Sequence, residues 1–280
     1  MSIAQSKSGL PVILRIYRWA RCPPDSWRKG LVERRLRKLL FRSQTWPLDD
    51  GIRMRLGPVE WTQVTLLCKG CLEPLTVALF KRLLKSGDTC VDVGAHIGFH
   101  TMVAARIVGA HGRVVAIEPQ PQNCADLLDN SKINKFENIL LVVAAVGDHN
   151  GQVSLAVQSA GDRSLLSLAI PSRTDLPQRF SVPILRLDGI FAEQKLADVA
   201  LLKIDVEGYE LEVLHGLGAA LGQVRHLILE VLGTPDRLTE RAHILLAELR
   251  RRGLRFRDVL GEPWHEDRPL PENNLWVSAE

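Results

Sequence analysis

At 280 residues, 46% of them apolar and 24% charged, the chain is long enough to bury a full α/β core and too ordinary in composition for wholesale disorder. Five cysteines over this length make no disulfide framework, which points to a reducing, cytoplasmic setting. The longest apolar run, residues 139–146, falls well short of the ~20 residues that span a bilayer. The net charge of +4 is unevenly spread, because residues 1–48 carry eleven Lys and Arg against only Asp25 and Glu33 and leave the rest of the chain acidic. Residues 1–48 therefore read as a basic extension and 49–280 as one domain.

Within the extension, Trp27, Leu31, Val32, Leu36, Leu39 and Leu40 recur at roughly helical spacing on a basic background. Such a helix docks on the following domain or lies on an anionic membrane surface, and docking is favoured because Glu33 and a modest apolar face do not demand lipid. Peripheral membrane contact through residues 1–45 is the alternative. No zinc-finger or RNA-recognition signature accompanies the basic residues, so nucleic acid is not an expected partner. The short apolar run 10–14, followed by Arg15 and Arg18, does not read as a secretory signal.

Residues 52–56 and 64–67 read as two short strands around Gly57-Pro58, a hairpin covering one end of a cleft. Cys68 and Cys71 have C-x-x-C spacing, but no second pair follows and zinc usually needs four ligands, so the spacing is read as coincidence. Leu72, Leu75, Leu79 and Leu83 then mark a helix with Pro74 in its first turn and Gly87 beyond its end. The stretch 88–99 is the centre of the chain. An apolar run ends in Asp92 and breaks into Gly94-Ala95-His96-Ile97-Gly98, after which 101–108 is good helix material, the signature of a first βα turn. In a doubly wound fold this places Asp92, Gly94, His96 and Gly98 at the mouth of the cleft.

A dinucleotide site needs a middle glycine for close approach to a pyrophosphate, and here that position is His96. A nicotinamide oxidoreductase is thereby disfavoured. S-adenosylmethionine carries no pyrophosphate: its carboxylate suits a helix N-terminus, its amino group suits an acid such as Asp92, and its ribose hydroxyls suit the acid Glu118 that ends the next strand. Further on, 121–134 reads as a helix and 138–145 as a third strand. The turn-rich 147–151 with alternating Val153, Leu155 and Val157 reads as a hairpin. Residues 159–180 read as a loop or a flap over the acceptor, 181–187 and 199–204 as strands, and 207–217 as a helix. After strand 225–231, Thr234-Pro235-Asp236 reads as a helix start, and 254–259 with 274–278 as a closing antiparallel pair.

Three blocks, 91–98, 117–121 and 202–210 (Leu-Lys-Ile-Asp-Val-Glu-Gly-Tyr-Glu), resemble in this order the FkbM-type methyltransferases, with the resemblance covering about residues 73–231. It implies a class I, doubly wound and mostly parallel Rossmann-like sheet, with the antiparallel pair, the hairpin and the basic extension added to it. It also implies S-adenosylmethionine as cofactor and methylation of a hydroxyl group. Glu73 has a counterpart in the family pattern, Ala95 and Pro119 fall within the cofactor blocks, and in related enzymes the segment corresponding to Ala145 and Val146 flanks the adenine. His96 stands where the family usually has Asn, and His100 where an aromatic residue is common.

Methyl transfer to an alcohol calls for a proton acceptor, and Asp205 is the first candidate, with Glu207 beside it and His100 as an imidazole alternative. Asp205, Glu207 and Glu230 at neighbouring strand ends could instead hold Mg²⁺, although no dedicated metal motif is present. The expected acceptor is a glycan or small molecule. The competing reading is a non-catalytic module that keeps the fold as a membrane-associated scaffold, against which the intact acids at both cofactor strands argue.

Overall fold

The structure, a computed structural model, describes residues 43–57, 60–159, 162–167, 179–231, 233–234 and 237–279. The proposed basic helix of the extension and the Pro235-Asp236 start signal lie outside these residues.

A seven-stranded sheet carries the fold, in the order β14(Arg255–Asp258), β15(Asn274–Ser278), β11(Val224–Glu230), β10(Val199–Ile204), β3(Thr89–Val93), β4(Arg113–Ile117), β5(Ile139–Val142). The five strands from β11 to β5 are parallel, and β15 joins β11 antiparallel and pairs in turn with β14. Central strands of a parallel sheet are covered on both faces and read as continuous apolar runs, and β10, Val-Ala-Leu-Leu-Lys-Ile, is buried at every position. Two apolar clusters fill the two faces. One, around Phe80, Met102 and Leu79, lies under α2(Pro74–Leu83) and α3(Phe99–Val108). The other, around Phe191, Leu214 and Leu246, lies under α5(Leu187–Glu193), α6(Glu210–Leu217) and α7(Glu240–Arg251). The helix α4(Pro121–Asn134) connects β4 to β5.

Several expectations change. Residues 64–67 are not a strand: they belong to α1(Trp61–Lys69), whose buried side includes Val64, Leu66 and Leu67 and whose end is fixed by Gly70 at φ 79°, its N–H donating to the Leu66 carbonyl. Burial of one apolar side and a left-handed glycine stop outweigh the β-branched residues. The partner of β2(Arg53–Leu56) is instead β1(Gln44–Pro47), which pairs across the boundary drawn at 48/49.

The third strand is also cut short. The chain leaves the main sheet after Val142, and β6(Ala145–Gly147) enters a four-stranded side sheet ordered β6, β9(Arg179–Arg186), β7(Gly151–Ser159), β8(Asp162–Ser167). β7 therefore pairs with β9 and β8, not with the strand before the turn. Part of the supposed loop 159–180 is the strand β8. α6 begins at Glu210 rather than 207, after a bend in which Glu207 takes φ 54°. α7 begins after Thr239, whose hydroxyl accepts from the Ala242 N–H, while Gly233–Thr234 pairs with Arg237–Leu238 as the short strands β12 and β13.

Candidate active site

At the carboxyl ends of β3, β4, β10 and β11 lies a cleft of about 570 Å³. The loop after β3 is built by backbone geometry. The N–H groups of Gly94 and Ala95 both donate to the Ile117 carbonyl at 2.9 and 3.1 Å, and the Asp205 N–H donates to the Val93 carbonyl at 3.0 Å. Gly94 has φ +82°, and a Cβ there would stand 1.8 Å from the Asp205 carbonyl oxygen, so only glycine allows the loop to lie against the end of β10. Gly98 caps α3 at φ +87° with Leu127 where its Cβ would be. Of the thirteen predicted site residues it alone does not line the cleft; its part is to turn the chain into the helix.

The two cofactor-side acids are held differently. Asp92 is 1% exposed; its Oδ2 accepts from the Thr101 hydroxyl at 2.6 Å, while its buried Oδ1 has no hydrogen-bond partner. Burial raises its pKa, against the pull of Lys203. Glu118 is gripped on both oxygens, by the His96 N–H at 2.9 Å on one and by the Gln120 N–H at 3.0 Å and the Asn123 amide on the other. Burial still lifts it to about 7. His96 takes φ 50° in this loop, and Pro119, Ala145 and Val146 line the adjoining wall.

The opposite half is organised by a residue that the sequence reading passed over. Lys203 is 2% exposed, inside β10, and its Nζ donates to Asp205 Oδ2 at 2.7 Å. Its register neighbour on β3 is Asp92. Burial pulls the ammonium pKa down, but the carboxylates of Asp205, Asp92 and Glu73 outweigh it and leave it above the ordinary value. Asp205 is the counterpart: burial would raise it, yet Lys203 holds it below the usual carboxylate range. Glu230 goes the other way, pushed to about 10 by burial and by the neighbouring Asp205, with which it shares a hydrogen bond. The surroundings thus favour the ionised form of Asp205 and the protonated form of Glu230. Glu207 completes this cluster, one oxygen of each acid lying within 4.8 Å of the others.

Glu73 and His100 close the floor. The Glu73 carboxylate accepts from the Asn274 amide at 2.9 Å and lies 3.5 Å from His100 Nε2; burial raises the glutamate to about 7. His100, buried, is pushed down to about 3, by desolvation first and Lys203 second, so its ring is neutral in the physiological range. Glu272, a second residue not singled out from the sequence, accepts from the N–H groups of Leu75 and Thr76 and from the Thr76 hydroxyl, capping α2 from across the chain. Of the eight non-glycine residues at positive φ among the described residues, five, Glu73, His96, Glu207, Glu272 and Asn273, line this one cleft. Strain of that kind collects where the surroundings over-determine a site.

Hexuronic acid methyltransferase AglP of Haloferax volcanii is 26% identical over 144 residues, which span 51% of this chain and 56% of that protein, so the match covers little more than half the relative's length. Among solved structures, methyltransferase FkbM of Methylobacillus flagellatus aligns over 77% of this chain and 52% of its own, at TM-score 0.44 and 17% identity. Aeropyrum pernix fibrillarin, with natively bound S-adenosyl-L-methionine, aligns over 73% of both chains at TM-score 0.42 and 18% identity. Residues 92–256, more than half of the chain, match the methyltransferase FkbM domain, and the chain belongs to the FkbM family of S-adenosylmethionine-dependent methyltransferases.

Proposed function

We propose that the chain methylates a hydroxyl oxygen of a glycan or small-molecule metabolite. One observation carries the reading: the glycine loop that would hold the cofactor rests directly on the strand end that presents Asp205, so methyl donor and proton acceptor share one cleft. The residues fit the cofactor. The buried, unpartnered Asp92 Oδ1 suits an ammonium donor, Glu118 suits ribose hydroxyls, and Ala145, Val146 and Pro119 offer an apolar wall for adenine.

Bound S-adenosylmethionine supplies an electrophilic methyl group. The chain's own contribution is alignment, exclusion of water and removal of a proton. With that group held by the β3 loop and Glu118, an acceptor oxygen would take the methyl group in line with the departing sulfur, which would keep the electron pair, and the hydroxyl proton would pass to Asp205. Lys203 keeps Asp205 ionised for this step, whereas the Nε2 of the buried His100 faces the Glu73 carboxylate at 3.5 Å. Hexuronic acid methylation by the Haloferax relative supports a sugar acceptor. The relatives bring no support for Mg²⁺ at the Asp205, Glu207 and Glu230 cluster.

The test is calorimetry with S-adenosylhomocysteine, followed by transfer of a labelled methyl group to a panel of sugars. Binding together with acceptor-dependent transfer that Asp205→Asn abolishes supports the reading. Absence of nucleoside binding by folded protein ends it.

A further inference from the structure

The far wall of the cleft holds a feature that the cofactor reading leaves unused. Trp61, Thr65 and Lys69 recur every four residues along α1, on one side of the helix, and all three line the cleft. The side of α1 that meets the core is sealed: Val64, Leu66 and Leu67 are buried. Trp61, by contrast, is 60% exposed, more than any other large apolar residue among those described, and Lys69 is exposed as well. An indole left open at the rim of a cleft, followed by a hydroxyl and a cation on successive turns, is an amphipathic platform with no duty in packing α1 onto the domain.

The charges around it narrow the ligand. The cleft's other lysine, Lys203, is bound to Asp205 on the floor. Lys69 makes no ion pair among the described residues, and its charge is therefore free for a ligand. Eight residues of α-helix separate Trp61 from Lys69 by about 12 Å along the axis, with Thr65 midway between them. A single sugar ring and an extended lysine stem together bridge that interval. The apolar C–H face of a pyranose stacks on an indole, and a carboxylate at the ring's edge would meet the ammonium.

We propose that the outer side of α1, through Trp61, Thr65 and Lys69, is the acceptor subsite and takes a pyranose bearing a carboxylate. This rests on the reading of the chain as a sugar methyltransferase, and adds to it which residues choose the sugar and why an acid is preferred. The platform lines the same cleft as Asp205, so a ring held there shares that cleft with the base.

The experiment uses the full chain saturated with S-adenosylhomocysteine and measures binding of methyl β-glucuronide and methyl β-glucoside by ligand-observed NMR. The wild type is expected to prefer the glucuronide by about fivefold, as one exposed charge pair allows. Lys69→Gln should erase that preference while still binding both sugars, and Trp61→Ala should weaken both. Equal binding of the two sugars by the wild type, a preference that survives Lys69→Gln, indifference to Trp61→Ala, or binding of neither sugar at millimolar concentration overturns the proposal. Calorimetric binding of S-adenosylhomocysteine by the same preparations reports on the cofactor pocket separately, so sugars that fail to bind a loaded protein reject the platform and leave the methyltransferase reading standing.

Discussion

The two halves of the cleft solve different problems. On the β3–β4 half, the cleft is built from backbone: a glycine loop, N–H groups aimed at Glu118, and a helix start. On the β10–β11 half it is built from charge, a buried lysine favouring the ionised form of one acid while burial favours the protonated form of its neighbour. A ligand shared by many enzymes can be held by geometry that few residues allow, whereas the chemistry at its far end depends on how several ionisable groups divide protons among them.

The sharpest way to break this contrast is Gly94→Val. The new side chain would meet the Asp205 carbonyl and force a β-branched residue to positive φ, so a loss of about 3 kcal/mol or more and no detectable nucleoside binding are expected in melts and calorimetry. Lys203→Met comes next. It strips the counter-charge from Asp205, Asp92 and Glu73 and should cost about 3 kcal/mol by denaturant unfolding, an effect that Asp205→Asn in the same chain partly rescues.

Asp205→Asn alone separates the halves. Turnover should fall about 100-fold or more while affinity for S-adenosylhomocysteine holds within about threefold; equal losses in both would mean that the two regions are not independent.

A smaller effect is the pH dependence of the ligand-free protein. Glu73 and Glu118 titrate near 7, above their ordinary value, so the stability they contribute is full below about 4.5 and is lost as pH rises through 7. The melting temperature should therefore decline across that window, and Glu73→Gln should flatten part of the slope. Smallest of all is His100→Phe. A ring already neutral and packed edge-on to Phe99 gives up little, so turnover within about threefold of wild type is expected, and a much larger loss would return the histidine to the list of bases.

The same contrast explains what could be read from the residues alone. The β3 loop, Asp92 and Glu118 were legible because a βα turn forces glycine and acid into fixed spacing, and the closing antiparallel pair was legible because alternation and length suffice for it. Lys203 was not: inside an apolar run a lone lysine looks like an interruption, and its meaning depends on Asp92 standing beside it in a neighbouring strand. Glu272 caps a helix almost two hundred positions away, which no local pattern announces. α1 was misread for a local reason, since its β-branched residues suggested a strand while Gly70 already marked a helix stop. The departure of Ala145–Gly147 into a second sheet is a tertiary choice, made by pairing with β9 rather than by anything in its own three residues.

The Glu272 cap has a consequence for how the domain opens and closes. Because Glu272 and Asn274 fasten the start of α2 and the Glu73 carboxylate to the lead-in of β15, peeling that strand from β11 would release the pocket floor in the same event. Amide exchange at Leu75 and Thr76 should then follow the exchange of β15 rather than that of α2's own later turns, making the antiparallel end of the sheet the latch on which local unfolding of the pocket floor hinges.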